Sequence, residues 1–502
     1  MSHSVDALRA DLESAGFDVD AIRALWGDDA DAALARGNRI PARRVLDRSE
    51  PTPLATLARL FVLGLPVGEQ AARAALPSLG LDGAVALGLV AVDHAVAHPR
   101  LDLRPYAFID GEGAGTWWIA SDLGEIALGR ELPEAHVLGV GGASLTLAGL
   151  QLPRPARRVL DLGTGSGIQA LHASRYADDV VATDISERAA GLARLTGGLN
   201  KVALDVRVGD LFAPVAGERF DRVISNPPFV ITPRVGGIPA YEYRDGGMVG
   251  DGIVEAVIRG LPDVLEPGGI AQLLGNWEYR GREQGLDRVR RFVDEAGLDA
   301  WVIERERQDP AQYAETWIRD GGTRPGDPRY DGLLEAWLDD FEERGVTAVG
   351  FGYLLLRRPS DGHGVTLRRY EVLPDALGAN PTGLGAHLGA SLDGHDWQAA
   401  RDDGELRHAR LQVAPDVTEQ RHLWPGDEHP AAMDLRQGGG FGRTMPLDTA
   451  LAGFVGACDG ELSVGQIVAA LADLLEVDEA ELAAELLPKV RRLLGDAMLL
   501  PA

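Results

Sequence analysis

Asn226-Pro227-Pro228-Phe229 sets a side-chain amide, two prolines and an aromatic ring directly after the apolar run Phe220–Ile224. Proline donates no ladder hydrogen bond and pushes the preceding residue out of the helical region, so a strand must stop here in a stiff turn. Such a turn suits the capture of an amide nitrogen or a base amino group. The lone pair of that nitrogen is delocalised, which makes it a poor nucleophile, and its two N–H bonds need acceptors. The Asn226 side-chain oxygen can take one and the Pro227 carbonyl the other, leaving the remaining electron density aimed in one direction. A rigid turn needs little reorganisation, so the gain is one of positioning. Phe229 offers a ring for stacking on a planar group. No strong base is required, because the nitrogen becomes acidic only as it forms its new bond. Taken alone, the same four residues are equally a strand end with a buried ring.

A second cluster lies upstream. The strand Arg158–Leu162 runs into Asp161-Leu162-Gly163-Thr164-Gly165-Ser166-Gly167, followed by a helical pattern. Glycines at such a turn let the backbone approach a ligand at the head of a sheet. The spacing is GxGxG, with Ile168 where a dinucleotide fingerprint needs its third glycine, and Asp161 would repel a phosphate. The next strand ends in Asp184-Ile185, where an acid can accept both ribose hydroxyls. The one after leads to Gly209-Asp210-Leu211-Phe212, where an acid can accept from an adenine amino group beside an apolar neighbour. A glycine loop followed by two strand-end acids in this order points to a nucleoside without phosphates.

This constellation resembles the class I S-adenosylmethionine-dependent methyltransferases, over about residues 155–357. The resemblance implies S-adenosyl-L-methionine as cofactor. It carries Gly163 and Gly165 to the methionine part, Asp184 to the ribose and Asp210 to the adenine. Asp161, Thr164, Ile185, Leu211 and Asn226 complete the expected cofactor site, and Asn226, Pro227 and Phe229 are the expected catalytic residues. The implied fold is a Rossmann-like sheet of seven strands whose last runs antiparallel. Asn226–Phe229 matches the NPP(Y/F) signature of amino- and amide-nitrogen methyltransferases, which form two groups. One methylates the glutamine amide of peptide-chain release factors, the other adenine or guanine amino groups of DNA or RNA. Tyr243-Arg244-Asp245-Gly246-Gly247 and Gly250-Asp251-Gly252 are similar to the release-factor group, whereas Phe229 replaces its usual Tyr. A protein glutamine is the favoured acceptor. A nucleic-acid base, a small molecule, or a binding protein without turnover remain as alternatives.

The elements that must position these residues alternate as strand and helix from 155 to 357, which implies a parallel sheet with helices on both faces. The final run, Val346–Leu356, follows an insert, Glu304 to Gly345, that carries Trp317, Tyr330 and Trp337 as cleft or core residues. Ahead of it come short helices, helical spacing at Leu54, Leu57, Phe61 and Leu65, a second helix over Val67–Leu76, and two alternating stretches, Leu87–Val96 and Leu101–Phe108. Helix, turn, helix and β pair outline a winged helix. Residues 358–443 have a weak pattern. Helices then follow at Leu447–Cys458, Val464–Leu474 and Glu479–Leu494, with Ser463 as an N-cap and a closing strand near Met498–Leu500. The expected domains are 1–150 for substrate recognition, 151–372 for methyl transfer and a winged-helix-like 373–502.

Composition narrows the rest. The net charge is −27, and no region is basic overall, which weighs against a broad phosphate-binding surface. Arg36, Arg39, Arg43, Arg44 and Arg48 form a local basic run that reads first as a solvated helix face. One cysteine, Cys458, excludes disulfides within the chain, and the 11 histidines show no metal spacing, so no metal is expected. The N-terminus lacks a signal-peptide pattern and the apolar runs are too short to span a bilayer, so the expected setting is cytoplasmic, with a macromolecular partner and no membrane. Two further features stand apart. The segment His136–Thr146 reads first as a plain connection between domains, with Ser144 or Thr146 closing over the cofactor as the alternative, and Trp117 and Trp118 should face opposite sides of a strand.

Overall fold

The computed structural model describes residues 2–128, 132–234 and 244–502. The chain divides into two compact units, residues 1–148 with 154–372, and residues 149–153 with 373–502.

The first unit is built on a mixed sheet. Its strands are β1 Ala156–Leu162, β2 Ala177–Asp184, β3 Asp205–Val208, β4 Phe220–Ser225, β5 Leu265–Arg280, β6 Asp299–Gln308, β7 Val346–Arg357 and β8 Arg368–Val372. The spatial order is β8-β6-β7-β5-β4-β1-β2-β3. β7 runs antiparallel to β5 and β6, and the other pairs are parallel. The expected seven strands are thus joined by an eighth. Arg368–Val372 pairs along β6, register Ala300 with Arg368 to Glu304 with Val372. Its sequence, Arg-Arg-Tyr-Glu-Val, carries no apolar run, because an edge strand is half-exposed and tolerates charge.

Helices cover both faces: α1 Ile168–Ala173, α2 Glu187–Leu199, α3 Gly252–Val264, α4 Gly285–Ala296, α5 Pro310–Asp320 and α6 Tyr330–Glu343. Two of the starts have a local cause. Ser186 caps α2 by accepting from Ala189 N, and Asp309 caps α5 by accepting from Ala311 N and Gln312 N, with Pro310 in the first turn. Strands buried on both faces read as apolar runs, such as Val223-Ile224 in β4 and Ala300-Trp301-Val302-Ile303 in β6. The insert is α5 and α6. Tyr330, Trp337 and Phe341 are buried, and Tyr313 of α5 packs edge-on against Phe341, so Trp337 belongs to the core.

The N-terminal residues pack onto the sheet unit through α2. One apolar cluster runs from Leu8, Leu12 and Phe17 to Ala189, Leu192 and Leu199. A hairpin, Leu101–Asp110 with Gly113–Asp122, lies against the same helix. Asn200 accepts from Trp118 N at 2.9 Å and donates to Trp118 O at 2.8 Å. Trp118 Nε1 donates to Phe17 O, while Trp117 packs edge-on against His172 of α1, so the neighbouring indoles do part as the strand alternation requires. The stretch Leu87–Val96 is not one strand. Val90–Asp93 and Val96–Pro99 form a hairpin turning at His94 and Ala95, both at positive φ (47° and 60°). Turns of this kind normally use Asn or Gly, so the sequence hides it. The expected helix Val67–Leu76 likewise begins as a short strand, Val67–Gly68, before Glu69–Ala75.

The second unit has its own core, from Leu406 to Leu499. Its helices Thr449–Gly456, Val464–Leu475 and Glu479–Gly495 lie near the expected bounds, and Ser463 with Gln466 forms a capping box. The weakly patterned stretch before them contains helix Gly385–Ala399 and a three-stranded sheet from Val417 to Leu447.

A buried ion pair ties α3 and α4 to β5. Arg288 donates to both Asp251 oxygens (2.9 and 2.7 Å), and Glu278 N donates to Asp251 Oδ2. Arg288→Ala leaves a buried carboxylate uncompensated and should cost about 3–5 kcal/mol, read as a lower urea midpoint.

Candidate active site and its relatives

β1, β2 and β4 end level with one another. Leu162 pairs with Thr183 on one side and Ser225 on the other. The Ser225 hydroxyl donates to Leu162 O at 2.7 Å, and the amides of Gly163 and Thr164 both donate to Thr183 O at 2.9 Å. The sheet order reverses here, between β1 and β4, and a crevice opens at the strand ends where such a reversal occurs.

The glycine loop has three residues at positive φ, Gly163 (77°), Gly165 (54°) and Gly167 (87°). A Cβ on Gly163 or Gly165 would meet nothing within 4 Å, whereas one on Gly167 would stand 3.2 Å from Ala193 Cα. The first two glycines therefore border open space, and the third permits close packing of the loop on α2. Asp161 is fully buried. Its Oδ2 accepts from Thr164 Oγ1 (2.6 Å) and Ala170 N (2.9 Å), while its Oδ1 has no partner among the described residues. Burial pushes its pKa up to about 7, opposed by the Thr164 and Ala170 bonds and reinforced by the charge of Asp184. Thr164 is buried and spends its hydroxyl proton on Asp161, so its visible role is to brace the loop.

Asp184 accepts from Gly165 N and Ser186 N, both at 2.9 Å, which locks the acid to the glycine loop. Its pKa is raised by burial against these backbone bonds. Ile185 beside it is 64% exposed, an uncovered apolar side chain next to the loop. At the end of β3, Gly209 N donates to Asp184 O, and Asp210 is exposed. Leu211 sits at φ 43°, a strained conformation for a branched residue that is held only by its surroundings. Phe212 lies over Gly260 of α3, so Leu211 is the apolar neighbour available to a ligand.

Asn226 follows β4 directly, and its Oδ1 is buried with no partner among the described residues. A buried acceptor left open is costly, and it fits a site completed by a donor from outside the chain. Pro227 and Phe229 are buried, and the Phe229 ring lies 5.5 Å from that of Phe351 on β7. The turn is held from behind by the insert. Val230 N donates to Arg244 O, and Ile231 N donates to the buried hydroxyl of Tyr313 at 3.0 Å. Sequence reasoning missed Tyr313, whose partner is 82 residues away in the chain.

Of the glycine-rich segment after the turn, Tyr243 lies outside the described residues. Asp245 is paired with Arg234, and Asp251 with Arg288. Gln169 of α1 donates to Ser144 O, which places helix Gly142–Leu150 against the start of α1. Among the described residues no three His, Cys, Asp or Glu side chains are grouped as metal ligands would be.

Three family models match the chain. They are a domain of unknown function over residues 14–100, the methyltransferase small domain over 141–291, and another domain of unknown function over 390–501. A putative protein N5-glutamine methyltransferase of Methanocaldococcus jannaschii is 35% identical over 135 residues, which is 26% of this chain and 68% of that protein. The chain belongs to the class I S-adenosylmethionine-dependent methyltransferases. The ribosomal protein uL3 glutamine methyltransferase of Bradyrhizobium diazoefficiens is 37% identical over 180 residues, 33% of this chain and 51% of that protein. The ribosomal RNA small subunit methyltransferase C of Erwinia tasmaniensis is 28% identical over 182 residues, 36% and 47% of the two chains. The chain thus spans about half the length of most of the curated relatives it matches.

Two outcomes are expected for the loop. An acid whose pKa is higher folded than unfolded loses stability as pH rises between the two values, because only the unfolded state then releases its proton. Asp161→Asn removes that loss, so its stability relative to the wild type should grow from pH 3.8 to about 7, as read by urea denaturation across pH. Asp184→Ala should weaken S-adenosylhomocysteine binding about tenfold or more in a calorimetric titration, since each lost charged hydrogen bond is worth roughly 1.5–3 kcal/mol.

Proposed function

We propose that this protein is an N-methyltransferase that transfers a methyl group from S-adenosylmethionine to the side-chain amide nitrogen of a glutamine in a protein. The observation that carries this reading is the open, buried Asn226 Oδ1 at the end of β4, beside the Asp161–Asp184 loop. The bound cofactor supplies an electrophilic methyl carbon on a cationic sulfur. Asp161 and the open faces of Gly163 and Gly165 would hold its amino-acid part. Asp184 would take the ribose, and Asp210, Ile185 and Leu211 the adenine.

The protein's own residues do the rest. Asn226 Oδ1 and the Pro227 carbonyl accept the two N–H groups of the amide and orient its nitrogen. The prolines prevent the acceptors from turning away as charge develops, so the electrostatic stabilisation is already in place. Phe229, braced by Phe351, offers a flat apolar wall for the amide plane. The nitrogen becomes cationic as it gains the methyl, and one of its N–H protons then passes to solvent water, so no buried base is needed.

The flanking regions are proposed to grip the macromolecule that carries the glutamine. Residues 53–99 run helix, short strand, helix, helix, hairpin, with strand order 67–68, 96–99, 90–93, an arrangement like a winged helix. The helices from 449 to 495, with the sheet of 459–463, 410–413 and 499–501, have a similar plan. The domain roles are recognition by 1–150 and 373–502 and methyl transfer by 151–372, acting on the translation machinery in the cytoplasm. No described helix is long and apolar enough to cross a membrane. A ribosomal RNA amino group is the second reading, favoured by Phe229 and by the Erwinia tasmaniensis relative.

Radiolabelled S-adenosylmethionine and a lysate of cells lacking the protein test both. Label lost to protease and not to nuclease supports the glutamine, and label released by nuclease supports the base. Asn226→Ala should lower transfer by more than about 100-fold with cofactor affinity nearly unchanged. Turnover close to wild type in that variant would rule out the acceptor mechanism.

A further inference from the structure

A primary carboxamide has two polar edges. The N–H edge is met by Asn226 and Pro227, and the carbonyl oxygen also loses its water when the substrate is buried. It needs a donor.

β5 supplies a candidate. It outruns β4, since the last β4–β5 pair is Ser225 with Leu273, while β5 continues to Arg280 paired with β7. Asn276 lies on this extension, directly across from Phe351. Cross-strand partners place their side chains on the same face of a sheet. Asn276 therefore shares a face with the ring that packs on Phe229. It is 2% exposed, and one end of its amide has no partner among the described residues. As placed, the open atom is Oδ1, and the NH2 donates at 2.6 Å to the Tyr313 hydroxyl, which also accepts from Ile231 N, two residues past Phe229.

The hydrogen-bond count favours exchanging the two ends. With the Asn276 NH2 facing Tyr313, the phenol oxygen receives two donors, and its own proton has no acceptor among the described residues. The oxygen and nitrogen of an asparagine amide are isosteric, so their placement follows from the network. With the two exchanged, Tyr313 O–H donates to the Asn276 carbonyl and Ile231 N–H donates to Tyr313, so the phenol proton and the carbonyl oxygen both gain partners. The free end is then the NH2, a buried donor with no acceptor in the described structure.

We propose that Asn276 reads the substrate: its NH2 donates to the carbonyl oxygen of the carboxamide whose nitrogen Asn226 and Pro227 hold. Tyr313 is a positioning residue that fixes the Asn276 amide and ties it to the turn. The pair of asparagines then grips both edges of one amide. The assignment rests on the glutamine reading above, and it adds the group that selects a carboxamide over an amine.

Asn276→Asp tests it, because Asp keeps the size and still accepts from Tyr313. Ionised, it presents a second acceptor to the substrate carbonyl, and protonated it regains a donor. The readout is the initial rate of methylglutamine formation in the ribosome and release-factor fraction of a lysate lacking the protein, with tritiated S-adenosylmethionine. S-adenosylhomocysteine affinity is measured alongside. The variant should fall about 10–100-fold below wild type at pH 8 with that affinity unchanged. It should regain rate, relative to wild type, as pH falls toward about 5, where a buried carboxyl takes up its proton. A variant as active as wild type at pH 8 would overturn the proposal. So would an equal loss at every pH, which a purely structural role produces. If wild type forms no methylglutamine, the glutamine reading fails and this assignment falls with it, an outcome recognised by the wild-type control alone.

Discussion

Leu162, Thr183 and Ser225 stand side by side on three neighbouring parallel strands, and the candidate site depends on that row. Each is followed or flanked by a candidate site residue: Asp161 at the end of β1 with the glycine loop after it, Asp184 after Thr183, and Asn226 after Ser225. The row is tied by backbone and hydroxyl bonds, Thr183 O taking two amides and Ser225 Oγ reaching Leu162 O. A shift of one residue in any of these strands would turn its functional side chain to the opposite face. Sheet register is thus the device that brings together groups far apart in the chain.

The loop shows how buried polarity is managed around that row. Asp161 feels the charge of Asp184, and both have raised pKa values because burial outweighs their hydrogen bonds. The protein tolerates this because Thr164, Ala170, Gly165 and Ser186 each contribute a donor. Among the described residues around the row, one oxygen of Asp161, the Thr183 hydroxyl and the Asn226 side-chain oxygen are left open. Native proteins rarely leave buried acceptors without partners, and each that remains calls for a cause such as a ligand, an ordered water or a catalytic role.

The parts of the site legible in the sequence are those made by contiguous residues. The GxGxG loop, the two strand-end acids and the Asn-Pro-Pro-Phe turn each announce themselves within a few residues, because a tight turn, a strand tip and a rigid acceptor pair are local requirements. The segments from other parts of the chain were not legible. β5 reads as an apolar run only from Gly269 to Leu274, and its extension to Arg280 is polar and glycine-containing because β7 pairs with it there. Tyr313 reads as one aromatic residue in an insert, and nothing near it in sequence points to Ile231. The eighth strand is charged, and the hairpin at His94-Ala95 lacks the usual turn residues. In each case the partner that makes the element stable lies elsewhere in the chain, and a sequence pattern carries only the local half of the interaction.

This division also explains why the insert Glu304 to Gly345 sits where it does. A turn made of two prolines is stiff within itself, but its orientation relative to the sheet is set by the anchoring of the residues just past it. Val230 and Ile231 leave the turn with free amides, and these are taken by Arg244 O and by Tyr313. Tyr313 is in turn wedged among Trp317, Trp337 and Phe341, with Trp337 and Phe341 deep in the core. The aromatic packing of α5 and α6 therefore fixes the angle at which the turn leaves the sheet, and Phe351 fixes its ring from the strand side. Rigidity at Asn226 is a property of three distant segments acting on four residues. A substitution that loosens α5 should then disturb the acceptor geometry while leaving the glycine loop, which is anchored separately through Thr183 and α2, as it was.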